Sequence, residues 1–343
     1  MKTVYVGLSG GVDSSVSAAL LKEQGFLVVG VYMKNWSKDL PGFACPWKED
    51  YQDAKRIAVQ LGIEFKLFDF EKEYQEKVVD YMIDEYKAGR TPNPDIMCNQ
   101  EVKFKLFFDT AIEQGADYVA TGHYARSING KLLIGKDENK DQSYFLYRVK
   151  EAVLKKTIFP LGDFTKPQVR KMAEERNLAT ATKKESMGIC FVGKVGIKEF
   201  LQQYVKTEDG DIIDQEGKKI GRHDGAIFYT IGQRHGLDVG GGLPYYVTGK
   251  NMKTNTVYVT SQIDDAALWK KKLHLTDLHW INEAPQIEKT YMVRTRYRAP
   301  LVKAQFTEKL TELILDDPVR AVTPGQSVVI YENERVVGGG III

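Results

Sequence analysis

The chain has 343 residues, 43% of them apolar and 27% charged, with a formal net charge of +2. That balance excludes a largely disordered polypeptide and a uniformly basic nucleic-acid binder, and at about 150 residues per domain leaves room for two or three domains. No apolar run reaches bilayer-spanning length, Met1-Lys2 leads straight into a strand with no room for a leader, and three scattered cysteines make neither a disulfide scaffold nor a Cys-x-x-Cys zinc site, so a cytoplasmic protein is expected.

Thr3–Leu8 reads as an apolar strand. The run Gly7-Leu8-Ser9-Gly10-Gly11-Val12-Asp13-Ser14-Ser15 turns it into a helix over Ser14–Gln24, with Asp13 or Ser14 as the expected cap. Three glycines permit a tight turn with outward N–H groups, the serines add hydroxyl donors, and the helix N-terminus adds positive dipole, which together make a phosphate site. An ordinary capped turn uses the same glycines, so the pattern alone leaves both readings open. No Gly-Lys-Ser or Gly-Lys-Thr follows, so a Walker-type NTPase is not expected. Phe26–Met33, Glu64–Phe70 and Asp117–Gly122 read as further strands, alternating with helices over Asp50–Leu61, Glu73–Lys87 and Val102–Gln114. This alternation predicts a parallel sheet with helices on both faces and functional loops at the carboxyl ends of its strands. Met33, closing the second strand, suits either an adenine contact or the core, and Gly122-His123 closes the fourth.

Two cysteine segments follow the first loop. In Gly89-Arg90-Thr91-Pro92-Asn93-Pro94-Asp95-Ile96-Met97-Cys98-Asn99 the prolines forbid a helix and predict a stiff extended loop around a thiol. In Lys183-Lys184-Glu185-Ser186-Met187-Gly188-Ile189-Cys190-Phe191 two lysines precede a thiol whose pKa they lower if the loop folds back. Taken singly, each cysteine is equally a buried small hydrophobe. Asn129-Gly130 predicts a hairpin between Tyr124–Ile128 and Lys131–Gly135, with helices near Asp141–Tyr147 and from Pro167 to Arg176. Beyond Asp209 short strands and glycine turns predominate. Alternating runs such as Tyr291–Arg298 and Ser327–Glu332 predict a small antiparallel barrel from Lys272 to Ile343. Tyr297 among Arg294, Arg296 and Arg298 suits RNA, though a solvated strand face has the same pattern.

The first loop resembles the PP-loop of ATP pyrophosphatases of the adenine-nucleotide α-hydrolase type, in which ATP is cleaved between α and β. Together with Met-Lys-Asn-Trp, Gly-Arg-Thr-Pro-Asn-Pro-Asp-x-x-Cys-Asn, Ala-Thr-Gly-His-Tyr, Lys-Asp-Gln-Ser-Tyr-Phe-Leu, Gly-Ile-Cys-Phe and Thr-Pro-Gly-Gln in one order, it makes the chain resemble the tRNA-specific 2-thiouridylase family from Val4 to Ile342. That resemblance implies an α/β fold: a Rossmann-like PP-loop domain over 1–204, a small central domain over 205–270 and a C-terminal antiparallel β-barrel over 271–343 that binds tRNA. It implies ATP-dependent 2-thiolation of the wobble uridine of tRNAs for lysine, glutamate and glutamine, with AMP and pyrophosphate released. Gly7, Leu8, Ser9, Gly10, Gly11, Val12, Asp13, Ser14, Met33 and Gly122 would contact ATP, and Asp13 would ligate its Mg²⁺. Cys190 would carry a persulfide and Cys98 act as its catalytic partner, the two ending as a disulfide. Asn93, Pro94 and Asp95 would surround the target base, while His123, Lys140, Asp141, Gln142, Arg296, Tyr297 and Gln326 would touch tRNA. A cysteine desulfurase or sulfur-relay protein would donate sulfur, and a monomer is expected.

Glu-Ser-Met-Gly-Ile-Cys stands where many bacterial members have Asp-Ser-Thr-Gly-Ile-Cys, which removes a hydroxyl beside Cys190. The Cys45 segment, Gly42 to Trp47, reads as a mobile or substrate-ordered loop outside the catalytic set. An iron–sulfur cluster has no clustered cysteine spacing behind it. Two alternatives are an amine-accepting PP-loop synthetase, such as a lysidine synthetase, which would need neither Cys98 nor Cys190, and a non-catalytic RNA-binding module, which would tolerate loss of Asp13.

Overall fold

A computed structural model describes residues 1–40, 44–184, 196–237, 239–240 and 244–343. Near the N-terminus, β1 (Thr3–Gly7), β2 (Leu27–Lys34), β3 (Glu64–Asp69), β4 (Tyr118–Ala120) and, after the hairpin described below, β7 (Thr157–Ile158) form a parallel sheet in the order β3-β2-β1-β4-β7. β1 is buried on both faces, as parallel strands are. Val4, Val6 and Leu8 pack with Leu21 and Val28, whereas Tyr5 faces Val29, Val78 and Phe107. Helix α1 (Val12–Glu23) follows β1, and α2 (Trp47–Leu61) follows β2. The chain winds outward from β1 through β2 to β3 and then returns to place β4 on the other side of β1. The gap between the carboxyl ends of β1 and β4 is therefore a topological switch point, where such sheets bind ligands.

Three elements depart from the sequence expectation. A helical run begins at Pro94, inside the stretch predicted to be extended. Asn93 caps it through a 3.4 Å bond from Ile96 N–H, and Pro94 takes the first helical position, where its missing N–H costs nothing. The run becomes π-helical over Cys98–Phe107, so Cys98 sits at the change of winding. The helix expected over Asp141–Tyr147 is a single 3₁₀ turn, Ser143–Leu146. β7, only two residues long, carried no periodic signal.

The hairpin forms as expected, from β5 (Ala125–Ile128) and β6 (Lys131–Ile134), with Asn129 and Gly130 both at positive φ. It does not join the parallel sheet. A mixed sheet of β8 (Gly210–Ile213), β9 (Lys219–His223), β10 (Tyr246–Asn251) and β11 (Thr256–Thr260) comes next in the order β10-β11-β8-β9. β12 (Trp269–Trp280), β13 (Thr290–Arg294), β14 (Val302–Phe306), β15 (Glu312–Arg320), β16 (Ser327–Glu332) and β17 (Arg335–Ile342) then close a six-stranded antiparallel barrel, β12 pairing with both β15 and β17. β6 pairs with the start of β17 at Val336↔Leu132, so one sheet runs from the hairpin into the barrel.

The two bodies share a core. On β16, Val328 and Ile330 point into the barrel, while Val329 and Tyr331 pack outward with Tyr144, Leu146 and Tyr147. Tyr144 and Tyr147 are fully buried, contributing about 1.5–3 kcal/mol each from area alone. Their hydroxyls bond the carbonyl and side chain of Ser327 at 2.9 and 3.1 Å. Among the described residues no helix is long and apolar enough to cross a membrane.

Candidate active site

The glycine–serine loop lies at the switch point. Gly10 has φ +73°, and a Cβ there would fall 2.3 Å from the Asp50 carbonyl oxygen on α2, so glycine is required by both backbone and space. Helix α1 begins at Val12 with Gly11 in the cap position, two residues before Asp13 and three before Ser14, the expected caps, and it has no side-chain cap. Ser14 and Ser15 instead donate to the Gly11 carbonyl at 3.1 and 2.7 Å, and Ser14 Oγ accepts from Ser9 N–H at 3.2 Å. Both hydroxyls thus shape the turn from within. Ser9 is exposed, and the N–H groups of the first helical turn have no intrahelical acceptor. Met33 Cε lies against Gly7, and a Cβ on Gly122 would fall 3.0 Å from Ser14 N. The residues expected around ATP are therefore adjacent, although Leu8 and Val12 are buried and offer only backbone.

Asp13, in the first turn of α1, receives a partner the sequence did not point to. Lys166 Nζ lies 2.7 and 2.8 Å from its two carboxylate oxygens, and Tyr124 donates its hydroxyl to Oδ1 at 2.9 Å. Lys166 is 8% exposed, at the start of the helix Lys166–Glu175 behind a Thr165–Gln168 capping box. A buried ammonium requires such a partner. Magnesium takes few protein ligands beside nucleotide phosphates, and Asp13 would be a single carboxylate ligand there, sharing its oxygens with Lys166 and Tyr124. Among the described residues no group of three or more His, Cys, Asp or Glu could hold a metal alone.

The thiol segment is anchored on every side. Glu85 holds Arg90 through both guanidinium branches, and Cys98 is buried. Burial raises the pKa of half-buried Asp95, with Lys103 pulling it down. His123 is buried with Nδ1 2.7 Å from Thr121 Oγ1, and its ring packs against Phe104 and Phe159. Burial, then Lys103, holds its imidazole well below the ordinary range, so it is neutral at pH 7.

The residues expected to meet tRNA divide into two sets. Arg296 is exposed, Lys140 half-exposed, and Tyr297 half-buried against Phe145 with ring centroids 4.4 Å apart. The others face inward. Gln142 binds Tyr124 through its side chain at 3.0 Å and its backbone at 2.9 Å. Asp141, 4% exposed, accepts from Gly135 N–H, Ser143 and Arg294, so its carboxylate is taken up within the protein. Gln326 donates to the Thr91 and Pro92 carbonyls. The arginines do not share a strand face either. β13 ends at Arg294, which turns inward, and Arg298 has φ +61° in the turn that follows.

Cys190 lies outside the described residues. The chain leading to it is held at Lys183, whose Nζ lies 2.7 Å from Asp50 and 2.6 Å from Asp53 on α2, the helix whose Asp50 carbonyl meets Gly10. Cys45 has Sγ 3.7 Å from the Trp36 carbonyl, and burial pushes its thiol pKa up.

A parallel sheet with a glycine–serine loop at its switch point, a small mixed sheet and a six-stranded barrel define a nucleotide-binding α/β body joined to two β modules. Residues 2–194 match the tRNA methyl transferase HUP domain, 198–261 the tRNA methyl transferase PRC-barrel domain, and 270–342 the aminomethyltransferase beta-barrel domain. The chain is 49% identical over 350 residues to tRNA-specific 2-thiouridylase MnmA of Bacillus subtilis (strain 168), covering 99% of this chain and 94% of that protein. It is 48% identical over 348 residues to the protein of the same name from Bacillus thuringiensis (strain Al Hakam), with the same coverage. A solved 4-thiouridine synthetase–RNA complex with bound ATP aligns at a TM-score of 0.40 and 22% identity, over 59% of this chain and 50% of that one. The chain belongs to the tRNA-specific 2-thiouridylase family.

Proposed function

We propose that the protein is an ATP-dependent tRNA-uridine 2-sulfurtransferase acting on the wobble uridine of tRNAs for lysine, glutamate and glutamine. One run of contacts carries this reading. Asp13 binds Tyr124, Tyr124 binds Gln142, and three residues on, the Phe145 carbonyl accepts from Asn99 beside Cys98 at 3.4 Å. A single turn thus separates the nucleotide loop from the thiol. Tyr297, packed on Phe145, adds at the same turn an aromatic ring of the kind that receives an unstacked base, which supports this reading.

In this reading the uracil 2-carbonyl oxygen attacks the α-phosphorus, pyrophosphate leaves, and C2 now carries AMP as a leaving group. The terminal sulfur of a Cys190 persulfide attacks C2 and AMP departs with the oxygen. Cys98 thiolate then attacks Cys190 Sγ, freeing the C2 thiocarbonyl and forming a Cys98–Cys190 disulfide that an external thiol reduces. Alternatively Cys98 attacks first and releases sulfide, which adds to C2; the products are the same. Asp13 would hold the nucleotide's Mg²⁺, which would supply charge neutralisation at the phosphates. Lys166 fixes the Asp13 carboxylate, and the first-turn N–H groups of α1 bind phosphate oxygens.

The test is nucleoside mass spectrometry after incubation with tRNA, Mg-ATP and a persulfide source. The expected result is 2-thiouridine at the wobble position with AMP and pyrophosphate. AMP and pyrophosphate with no sulfur incorporated would overturn it in favour of an amine acceptor.

A further inference from the structure

Three observations tie Gln326 and the turn that bears it to the thiol segment. Its Nε2 lies 2.7 Å from the Thr91 carbonyl oxygen and 3.3 Å from that of Pro92, so both contacts lie within the protein. Only the nitrogen end of the amide can face two carbonyls, which fixes its orientation. The turn that bears it is docked on the same residue, since Thr91 N–H donates to the Pro324 carbonyl at 2.8 Å and a Cβ on Gly325 would fall 2.8 Å from Thr91 N. Thr91 is also met from the mixed-sheet module, its Oγ1 lying 3.3 Å from Thr230 Oγ1.

We propose that Gln326 is a positioning residue for Cys98: the barrel's Thr323–Gln326 turn sets where the thiol segment begins. Between the clamp and the thiol the chain has little freedom. Pro92 and Pro94 each fix φ, Asn93 caps the helical turn that starts at Pro94, and Cys98 follows that turn directly. A displacement at Thr91 is therefore carried to Cys98 rather than absorbed. The barrel takes part in the chemistry by holding the nucleophile's loop as well as by presenting RNA-facing side chains.

The inference rests on the thiolation reading for its importance, but its test uses the resting full-length protein without tRNA or ATP. Iodoacetamide labelling is followed peptide by peptide, Cys98 against Cys45, in wild type, Gln326→Met and Gln326→Lys. Buried thiols label through local opening. Removing the donor by Gln326→Met should speed Cys98 labelling by about fivefold or more, given two hydrogen bonds lost. Gln326→Lys, which restores a donor, should return the rate toward wild type, and Cys45 should label equally in all three. Affinity for tRNA, measured separately, should change by less than about twofold in Gln326→Met, well below the roughly tenfold loss that 1.4 kcal/mol of RNA contact would produce. An unchanged Cys98 rate overturns the proposal, as does a rise shared by Cys45, which would indicate general loosening. Weakened tRNA binding with unchanged Cys98 labelling would assign Gln326 to RNA instead. None of these outcomes depends on sulfur transfer, so they remain distinct from failure of the thiolation reading.

Discussion

Lys166 and Asp13, 153 positions apart, form a two-point ion pair at the mouth of the nucleotide loop, with the ammonium within 2.8 Å of both carboxylate oxygens. The pair fixes a carboxylate in the first turn of α1 and keeps a buried positive charge next to it. Lys166→Met and Asp13→Asn should each slow tRNA-dependent pyrophosphate release by about 10²-fold, the scale of losing a preorganised electrostatic contact. Because the two act as a unit, the double variant should be little slower than the worse single one. Fully multiplicative losses in a pyrophosphate-release assay would show that they act separately.

The proposed mechanism gives the two cysteines different duties. Cys190→Ser should fail to retain radiolabelled persulfide sulfur. Cys98→Ser should retain it but form no 2-thiouridine, since a hydroxyl keeps the size of the thiol and supports neither persulfide nor disulfide. Both variants should bind ATP and tRNA normally. Normal 2-thiouridine yield from either would remove the thiol assignment.

Two neighbouring arginines should behave in opposite ways. Arg296, exposed in the turn after β13, should on replacement by alanine weaken tRNA binding and lower the salt slope by about one unit. Arg294→Ala should leave the buried Asp141 carboxylate short of a donor and cost about 1–3 kcal/mol of stability, read from the denaturant midpoint. A salt slope unchanged in Arg296→Ala would mean that its guanidinium is merely solvated.

His123 makes stability depend on pH in a stated direction. Burial lowers its folded pKa below the ordinary 6.5, so the unfolded chain binds more protons in the interval beneath that value. The contribution is complete above about 6.5 and is lost as pH falls below it. His123→Gln, which keeps a partner for Thr121, should be less sensitive than wild type over that interval in melts taken at successive pH values. Parallel curves for the two proteins would rule out a buried neutral imidazole.

The loop from Gly7 to Ser15, the Asn129-Gly130 hairpin and the barrel were legible because each depends on local chemistry: glycine at positive φ, a two-residue turn, period-two alternation. What escaped depends on distance or on position within an element. Lys166, just before the helix expected from Pro167, was not singled out, because its link to Asp13 exists only once β4 has come back beside β1. Pro94 was read as a helix breaker, whereas at the first helical position a proline begins one. The alternation of Arg294, Arg296 and Arg298 suggested one strand face, but β13 stops at the first of them, and Arg294 follows the core while the others follow the solvent. Gln326 and Asp141 lie in motifs that the family resemblance links to tRNA, yet polar residues beside a recognition surface also build its supports, and a linear pattern does not separate the two.

The hairpin's place on β17 bears on how the chain is made. Arg126 of β5 and Glu334 beside β17 are ion-paired across 208 positions, and the Ile134 N–H has its acceptor at Glu334. During synthesis the free edge of β6 therefore emerges long before its partner, with unsatisfied backbone groups next to the apolar residues that will become the shared core. The parallel sheet has all its strands by Ile158, but the β5–β6 hairpin and the core it shares with Tyr331 and Val336 are completed only when the barrel's final strand arrives. Truncation within β17 should thus leave an aggregation-prone nascent protein rather than an active enzyme with a weakened RNA grip.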